Sequence, residues 1–175
     1  MGENVYSDTS YDKLLNIINN IRETVRKSNT FKELCKEHDV DPSFIDLVPM
    51  CFANLDVSAR TDNGIIYFNY NLLNDSESIE HYMVHELTHF LQQCFGDGPT
   101  TGSSGSSADD YLDNEFEQES FQNQTEYIEE TDGESAADRY VKRVLDHHNV
   151  PLKERKKRRK QLRGFIDDIV RIVTS

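Results

Sequence analysis

Apolar residues near the start of the chain recur three and four positions apart, which is the spacing of one face of an α-helix. Residues 11–27 carry five such positions: Leu14, Leu15, Ile18, Ile21 and Val25. Ser10 precedes them as a candidate N-cap. The pattern predicts a helix over 11–27 and a second, shorter helix over 31–37.

The apolar period changes to two after residue 50, which indicates β-strands. Residues 55–59 alternate between apolar and polar, Asn63-Gly64 follows, and residues 65–68 are then Ile-Ile-Tyr-Phe. An Asn-Gly pair between two such runs favours a two-residue turn, because both turn positions need a positive φ. We therefore expect a β-hairpin here.

Helical periodicity returns in the second half of the chain. Helices are expected from a cap at Asp75 or Ser76 to about Gln93, and over 111–130 and 133–148. The segment 96–107, GDGPTTGSSGSS, consists of small and helix-breaking residues. It is a loop, and the sequence leaves open whether it is a mobile flap or a shortened segment.

Together these elements predict a mainly helical α+β fold with a small β-hairpin or sheet beside the helix that ends near Gln93. The length fits one domain over 1–150. Pro151 separates that domain from a basic amphipathic helix over 151–175, which we expect to pack on it.

Charge is distributed unevenly along the 175 residues. The chain has 19 Lys and Arg against 32 Asp and Glu, for a net charge of −13, yet residues 61–138 contain no Lys or Arg at all. This excludes a uniformly basic nucleic-acid-binding protein. The acidic stretch either favours cations and basic substrates or simply forms solvated helix faces.

The sequence also suggests a compartment. The first 30 residues contain no apolar run of signal-peptide type, and no stretch approaches the length needed for a transmembrane segment. The chain has three cysteines and no Cys-x-x-Cys pair, which argues against a disulfide framework. These features predict a cytoplasmic protein without a membrane span.

The chemistry-bearing motif is His85-Glu86-Leu87-Thr88-His89, an HExxH sequence within a predicted helix. Residues four apart lie on one helix face, so both imidazoles can reach one metal ion. Glu86 points about 100° away, where it can act as a general base on a water without binding the metal. The apolar neighbours of the motif make a merely solvent-facing histidine pair the weaker interpretation. His81 lies two helical turns from His89, too far to share the same ion, and is expected to be an outer or surface residue.

A hydrolytic zinc site needs a third protein ligand. No further His follows in an HxxGxxH extension, so we expect an acidic residue from a later helix. Glu119 is favoured because a carboxylate within an apolar helix stripe needs a partner. Glu134 is the less favoured alternative, because the segment 131–134 matches a capping box that explains it without a metal.

At this point the chain resembles the small gluzincin-type zinc metallopeptidases, in which a Glu on a following helix completes HExxH. The similarity covers about residues 53–146: a hairpin, HELTHFLQQ, an EQESF-type helix and GESAADRYVKRVL. The segment YLDNEFEQESF resembles the YLDxPxExEAF segment of phage- and virus-type peptidases of this kind. Glu115 replaces the expected Pro, and Ser120 replaces the expected Ala.

The resemblance implies a zincin-like fold, of the minigluzincin type, and zinc-dependent endopeptidase activity on a protein or peptide substrate. It implies one Zn²⁺ bound by His85, His89 and Glu119, with Glu86 as the general base. Asn123 then becomes a candidate to orient a ligand imidazole.

The same resemblance implies a substrate-binding strand and an oxyanion donor. An edge strand beside the metal helix would bind substrate backbone, and Ile65–Asn69 is the candidate. The candidates for the donor to the oxyanion are all aromatic or imidazole side chains, and the sequence does not choose among them: Tyr111, Tyr127, His147 and His148.

The segment Lys153 to Arg163 carries eight Lys or Arg in eleven positions, followed by an apolar stripe from Leu162 to Val173. It can dock on the acidic body of the same chain, contact nucleic-acid phosphates, or bind a surface or partner. Two alternatives to a free protease therefore stay open. One is a metal-binding but proteolytically inactive or latent interaction protein, and the other is a protease tethered to nucleic acid.

Overall fold

The computed structural model describes residues 11–74, 78–98 and 108–164, with side chains from residue 111 onward in the last range. The described residues form two compact units whose boundary falls between Gly102 and Ser103. They are mostly helical with one small three-stranded sheet, which confirms the α+β class. The zincin-like fold, and the division into a domain over 1–150 and a helix over 151–175, stay predictions.

The first unit begins with two helices, α1 (Tyr11–Lys27) and α2 (Asn29–Glu37), as predicted. The buried face of α1 consists of Ile18, Ile21 and Val25, so the amphipathic spacing identified the inward side. Helix α2 starts earlier than expected because the Ser28 hydroxyl accepts a hydrogen bond from the Phe31 amide at 3.1 Å. A short 3₁₀ helix, Pro42–Asp46, follows. The proposed cap Ser10 lies outside the described residues.

The sheet contains β1 (Met50–Ala53), β2 (Ala59–Asp62) and β3 (Ile65–Asn69) in the order β1-β3-β2. The predicted hairpin turn is confirmed: β2 and β3 pair antiparallel across a turn in which Asn63 and Gly64 have φ of 49° and 76°. The first strand lies later than the alternating run 55–59 predicted, because β2 covers Ala59–Asp62. Two positive φ values in a two-residue turn match the right-handed twist of the flanking strands.

The strand β1 was not predicted, and it changes the position of β3. It pairs parallel with β3, so β3 is hydrogen-bonded on both sides and is the central strand. The expectation that Ile65–Asn69 is a substrate-binding edge strand is therefore wrong. Within the described sheet, both β2 and β3 contact the motif helix, and β2 lies at an edge.

The HExxH motif lies in the middle of α3 (Glu80–Phe95), which follows a 3₁₀ helix at Tyr70–Asn74. Its apolar core positions are fully buried, namely Met83, Val84, Leu87 and Leu91. The helix packs against both α1 and β2. It is thus a core helix, as its composition predicted. The expected start from a cap at 75 or 76 is wrong, because the helix begins at Glu80 with Ile79 in the N-cap position.

The second unit contains α4 (Ala108–Asp113), α5 (Glu115–Asp132), α6 (Glu134–His147) and α7 (Leu152–Arg163). The prediction of a single helix over 111–130 is wrong, because the helix is interrupted at Asn114. Its side-chain oxygen accepts hydrogen bonds from the amides of Phe116 at 2.9 Å and Glu117 at 3.4 Å. Asn114 therefore acts as the N-cap of a new helix and ends the continuous stripe assumed from the sequence.

Helix α6 confirms the helix predicted over 133–148, but its start differs from the expected capping box. Thr131 still belongs to α5, and its hydroxyl donates to the Tyr127 carbonyl at 3.0 Å. The residue preceding α6 is Gly133, with φ of 90°. The capping-box interpretation of 131–134 is therefore wrong, because Thr131 bonds backward into its own helix.

Helix α7 packs against α5 and α6 within this unit. The hydroxyl of Thr125 donates to the Leu162 carbonyl at 2.8 Å, and the side-chain amide of Gln122 donates to the Gln161 carbonyl at 2.8 Å. The apolar stripe beyond Leu162 lies largely outside the described residues, as does most of the loop 96–107. No helix in the described part of the chain is both long and apolar enough to cross a membrane.

Candidate metal centre

The two histidines of the motif present ring nitrogens to each other on one face of α3. His85 Nε2 and His89 Nε2 lie 3.2 Å apart, as the spacing of four residues predicts. His85 is buried and His89 is half-buried, so neither ring stands free in solvent. A pair of imidazoles placed in this way is suited to share one cation.

The hydrogen bond of the opposite ring nitrogen determines which His89 nitrogen carries the lone pair. His89 Nδ1 lies 2.9 Å from Gln92 Oε1, and an amide oxygen can only accept. In the neutral ring, Nδ1 therefore carries the proton and Nε2 carries the lone pair. Gln92 is 3% exposed, so this contact is shielded from water. The His89 nitrogen that faces His85 is thus prepared to bind a metal.

The separation of the two nitrogens fits a tetrahedral zinc ion. Zn–N bonds are about 2.05 Å long, so two nitrogens on one tetrahedral ion lie roughly 3.3 Å apart. The observed 3.2 Å is within about 0.1 Å of that value. The spacing of the two nitrogens is therefore compatible with a shared metal ion.

A carboxylate completes the candidate donor set. His85, His89 and Glu117 each offer one ligand atom, these atoms lie within 4.8 Å of one another, and the group could hold a metal ion. Glu117 is 6% exposed, and a carboxylate this buried requires a compensating partner. Two imidazole nitrogens and a carboxylate oxygen form a set typical of catalytic zinc sites.

The acids favoured by the sequence lie elsewhere. Glu119 follows Glu117 by two residues, which places it about 200° around α5, and it is only half-buried. Glu134 is exposed in the first turn of α6. Neither belongs to the group of three, and Glu119 as a zinc ligand stays a prediction. Asn123 is buried on α5, and its suggested contact with an imidazole also stays a prediction.

Glu86 is held on a different side of α3, toward the sheet. The Thr61 hydroxyl lies 2.7 Å from Glu86 Oε2 and 2.9 Å from the Glu86 carbonyl oxygen. Thr61 is 3% exposed and Glu86 5% exposed. The Glu86 carboxylate is therefore buried, with a specific donor on one of its oxygens.

A second group of aromatic and imidazole rings lies near Glu117. The rings of Tyr111 and His148 stack with centroids 5.2 Å apart, and His147 lies edge-on to His148. Burial and the neighbouring His147 lower the pKa of His148, while the charge of Glu117 opposes this effect. His148, one of the four proposed oxyanion donors, is thus within electrostatic reach of Glu117. Its role stays a prediction.

Sequence reasoning missed Gln92, Thr61 and Glu117. The contact of Gln92 could have been predicted, because Gln92 lies one helical turn beyond His89. For Glu117, the spacing Asn114-x-x-Glu117 indicates an N-cap and an acid at the third helical position, which predicts the start of a helix and not a metal ligand. Thr61 had no such signal, because its contact with α3 depends on the tertiary packing of β2.

Two further features were judged from the sequence. His81 is buried, its ring lies against Tyr82 with centroids 4.1 Å apart, and it is not part of the group of three. It is therefore no surface residue. On α7, the arginines form ion pairs within the second unit: Arg155 with Asp146, Arg158 with Asp113, Arg159 with Asp138 and Arg163 with Glu129.

Comparison with known proteins adds no relative. No family model, no curated protein and no solved structure matches the chain. The resemblance to gluzincin-type peptidases therefore depends on the residues alone and stays a prediction.

Proposed function

We propose that this protein is a zinc-dependent metalloendopeptidase of the HExxH type with a zincin-like fold. The observation that carries the proposal is the group of His85, His89 and Glu117, with Glu86 buried on the same helix as the two histidines. Each of these side chains has a distinct task in metal-assisted hydrolysis of a peptide bond.

The donor set supports zinc over harder cations. Calcium and magnesium prefer six or more oxygen ligands, whereas zinc accepts mixed nitrogen and oxygen sets of three plus one open position. We propose that His85 Nε2, His89 Nε2 and a Glu117 oxygen hold one Zn²⁺. The ligand set differs from the sequence expectation only in the acid, Glu117 in place of Glu119.

When bound, Zn²⁺ supplies Lewis acidity that polarises a substrate carbonyl and makes a water more acidic. The Glu86 carboxylate accepts the proton of that water and passes it to the amine that leaves as the peptide bond breaks. His89 keeps the lone pair of Nε2 directed toward His85, because Gln92 fixes the His89 tautomer. The buried surroundings of Glu86 exclude competing bulk water.

The decisive experiment compares zinc-loaded wild type with Glu86→Gln on unfolded protein substrates. We expect cleavage by the wild type, loss on chelation and recovery when zinc is returned. Glu86→Gln should bind zinc normally but cleave at least 10²-fold more slowly, because general-base catalysis contributes about that much. Equal cleavage by both proteins would contradict the mechanism. Tight zinc binding without cleavage by either would favour the inactive or latent interaction protein.

A second pair of variants tests the third ligand. Glu117→Gln and Glu119→Gln remove one charge each from the same helix, so they are matched controls for one another. We expect Glu117→Gln to weaken zinc binding strongly and Glu119→Gln to leave it within about threefold, since the ligand carboxylate interacts with the ion directly. The reverse order would restore Glu119 as the ligand.

One observation favours an additional property, a tether to nucleic acid through 153–163. While the arginines of α7 are paired within the unit, Lys153, Lys156 and Lys157 are exposed at spacings of three and four residues. Such a row suits phosphate contacts. Duplex DNA binding should weaken steeply as salt rises and lose about one unit of logarithmic slope per lysine replaced by Gln. Binding that is absent or independent of salt would contradict the tether.

A further inference from the structure

The proposed general base is anchored by a residue from the sheet. Thr61 lies on β2, at the edge of the described sheet, and its hydroxyl reaches Glu86 of α3 across the contact between strand and helix. We infer that Thr61 is a positioning residue that fixes the Glu86 carboxylate for proton transfer. The inference deepens the proposed function and rests on it.

The Thr61 hydroxyl has one proton and two acceptors within reach. Glu86 Oε2 lies at 2.7 Å and the Glu86 carbonyl oxygen at 2.9 Å. Hydrogen bonds to an ionised acceptor are shorter and roughly twice as strong as neutral ones. The proton is therefore donated chiefly to the carboxylate, and the bond is shielded because both residues are more than nine-tenths buried.

This arrangement divides the tasks of the two carboxylate oxygens. Oε2 is engaged by Thr61, whereas Oε1 has no hydrogen-bond donor among the residues that the structure describes. One oxygen thus fixes the orientation of the group, and the other can accept a proton from water. A general base must lie within hydrogen-bond reach of the proton that it abstracts, so fixed orientation contributes directly to rate.

The position of Thr61 is itself secured. Its backbone pairs with Ile66 in the ladder between β2 and β3, and its carbonyl accepts a hydrogen bond from the Gln93 side chain at 3.3 Å. Gln93 lies on α3, the same helix as Glu86. The strand is therefore joined to β3 by the ladder and to α3 by the Gln93 contact, which keeps the hydroxyl in register with the carboxylate.

The test uses the full-length protein with Thr61→Val, which removes the hydroxyl at nearly constant shape, and Thr61→Ser, which keeps it. In the zinc-loaded enzyme we expect Thr61→Val to lower kcat about 10- to 100-fold with KM within about twofold, as for residues that orient an active group. Thr61→Ser should recover to within about threefold of wild type. Zinc affinity should stay unchanged in both, because Thr61 contacts the base and not the ligands.

Thr125→Val is the matched control, since it removes an equally buried threonine hydroxyl that bonds the Leu162 carbonyl in the second unit. It should leave kcat near wild type. The inference is overturned if Thr61→Val keeps wild-type kcat, if Thr61→Ser fails to recover, or if zinc affinity falls in parallel with kcat.

A measurement without activity separates this inference from the proposed function. In the metal-free protein, Thr61→Val should lower the unfolding midpoint by about 5 °C in the wild-type background and by clearly less in a Glu86→Ala background. Equal shifts in both backgrounds would show that Thr61 does not act on the Glu86 side chain. If the wild type cleaves nothing while this coupling persists, the proposed function fails and the Thr61–Glu86 contact stands.

Discussion

Gln92 offers the most direct test of how the histidine pair is prepared for a metal. Its Oε1 lies 2.9 Å from His89 Nδ1, and the side chain is 3% exposed. Gln92→Leu keeps the size of the buried side chain but removes the acceptor. His89 can then turn its ring or place its proton on Nε2, the nitrogen that faces His85. We expect weaker zinc binding with an intact fold.

The size of the effect follows from the role of the hydrogen bond. Residues that orient a metal-bound imidazole typically contribute 10- to 100-fold in metal affinity. This corresponds to about 1.4 to 2.7 kcal/mol of binding free energy. The upper half of the range is expected here, because water cannot easily replace an acceptor in a site this buried.

Two assays check the loss independently. Competition with a chelating dye measures the zinc dissociation constant directly. Thermal unfolding at a fixed excess of zinc measures the same loss by linkage, since a ligand that binds only the folded state stabilises it by RT ln(1 + [L]/Kd). For a chain of this length, 1.4 to 2.7 kcal/mol corresponds to roughly 3 to 10 °C less zinc-induced stabilisation.

The controls separate metal affinity from folding. Gln122→Leu breaks a comparable hydrogen bond, from the side chain to the Gln161 carbonyl at 2.8 Å, far along the sequence from the motif, and should leave zinc affinity unchanged. Gln92→Glu retains an acceptor and should recover most of the affinity. Zinc affinity of Gln92→Leu within threefold of wild type, with unchanged melting of the metal-free protein, would refute the reasoning.

Three further predictions concern the fold. Hydrogen bonding to Arg158 lowers the pKa of Asp113 in the folded protein. The ion pair therefore stabilises the fold above the unfolded pKa of about 3.9, and this stabilisation is lost as the pH falls through the lower folded pKa. Asp113→Asn should therefore be less stable to urea than the wild type at pH 7 and equally stable in strong acid. The same loss of stability at both pH values would contradict this. Gly64→Ala should cost about 1 kcal/mol in urea unfolding, because φ is 76° while the nearest side-chain atom stays 3.9 Å from the added Cβ; a neutral effect would argue against the turn geometry. Burial first, and then the charge of Asp41, raise the pKa of Cys35 to about 11, so a thiol reagent at pH 8 should modify the two exposed cysteines long before this one. Three equal rates would contradict the buried position.

Local patterns predicted the elements whose determinants are local. The Asn63-Gly64 pair fixes a hairpin turn through its own backbone preferences, and the spacing of His85 and His89 fixes their common helix face. Neither conclusion requires knowledge of the rest of the chain. These are the parts of the fold and site that a single sequence can supply.

Sequence patterns were insufficient where the structure depends on pairing with a distant segment or on the position of a helix boundary. The parallel partner of β3 is β1, which precedes the hairpin, so pairing preferences within the hairpin cannot reveal that β3 is central. The choice between Glu117 and Glu119 depends on the phase of α5, and the cap at Asn114 sets where that helix begins. A stripe drawn through 112–127 assumes one continuous helix, whereas the structure divides this segment into two helices at Asn114.

The central position of β3 also predicts which strands of the sheet exchange their amide hydrogens first. Its amides are covered by partners on both sides, so they should exchange with solvent only when the whole sheet opens. At the described edge, β2 is bound on one side and can fray without unfolding its neighbours. Each such opening would carry the Thr61 hydroxyl away from Glu86, so the hydrogen-exchange rate of the β2 amides would report how often the carboxylate loses its anchor.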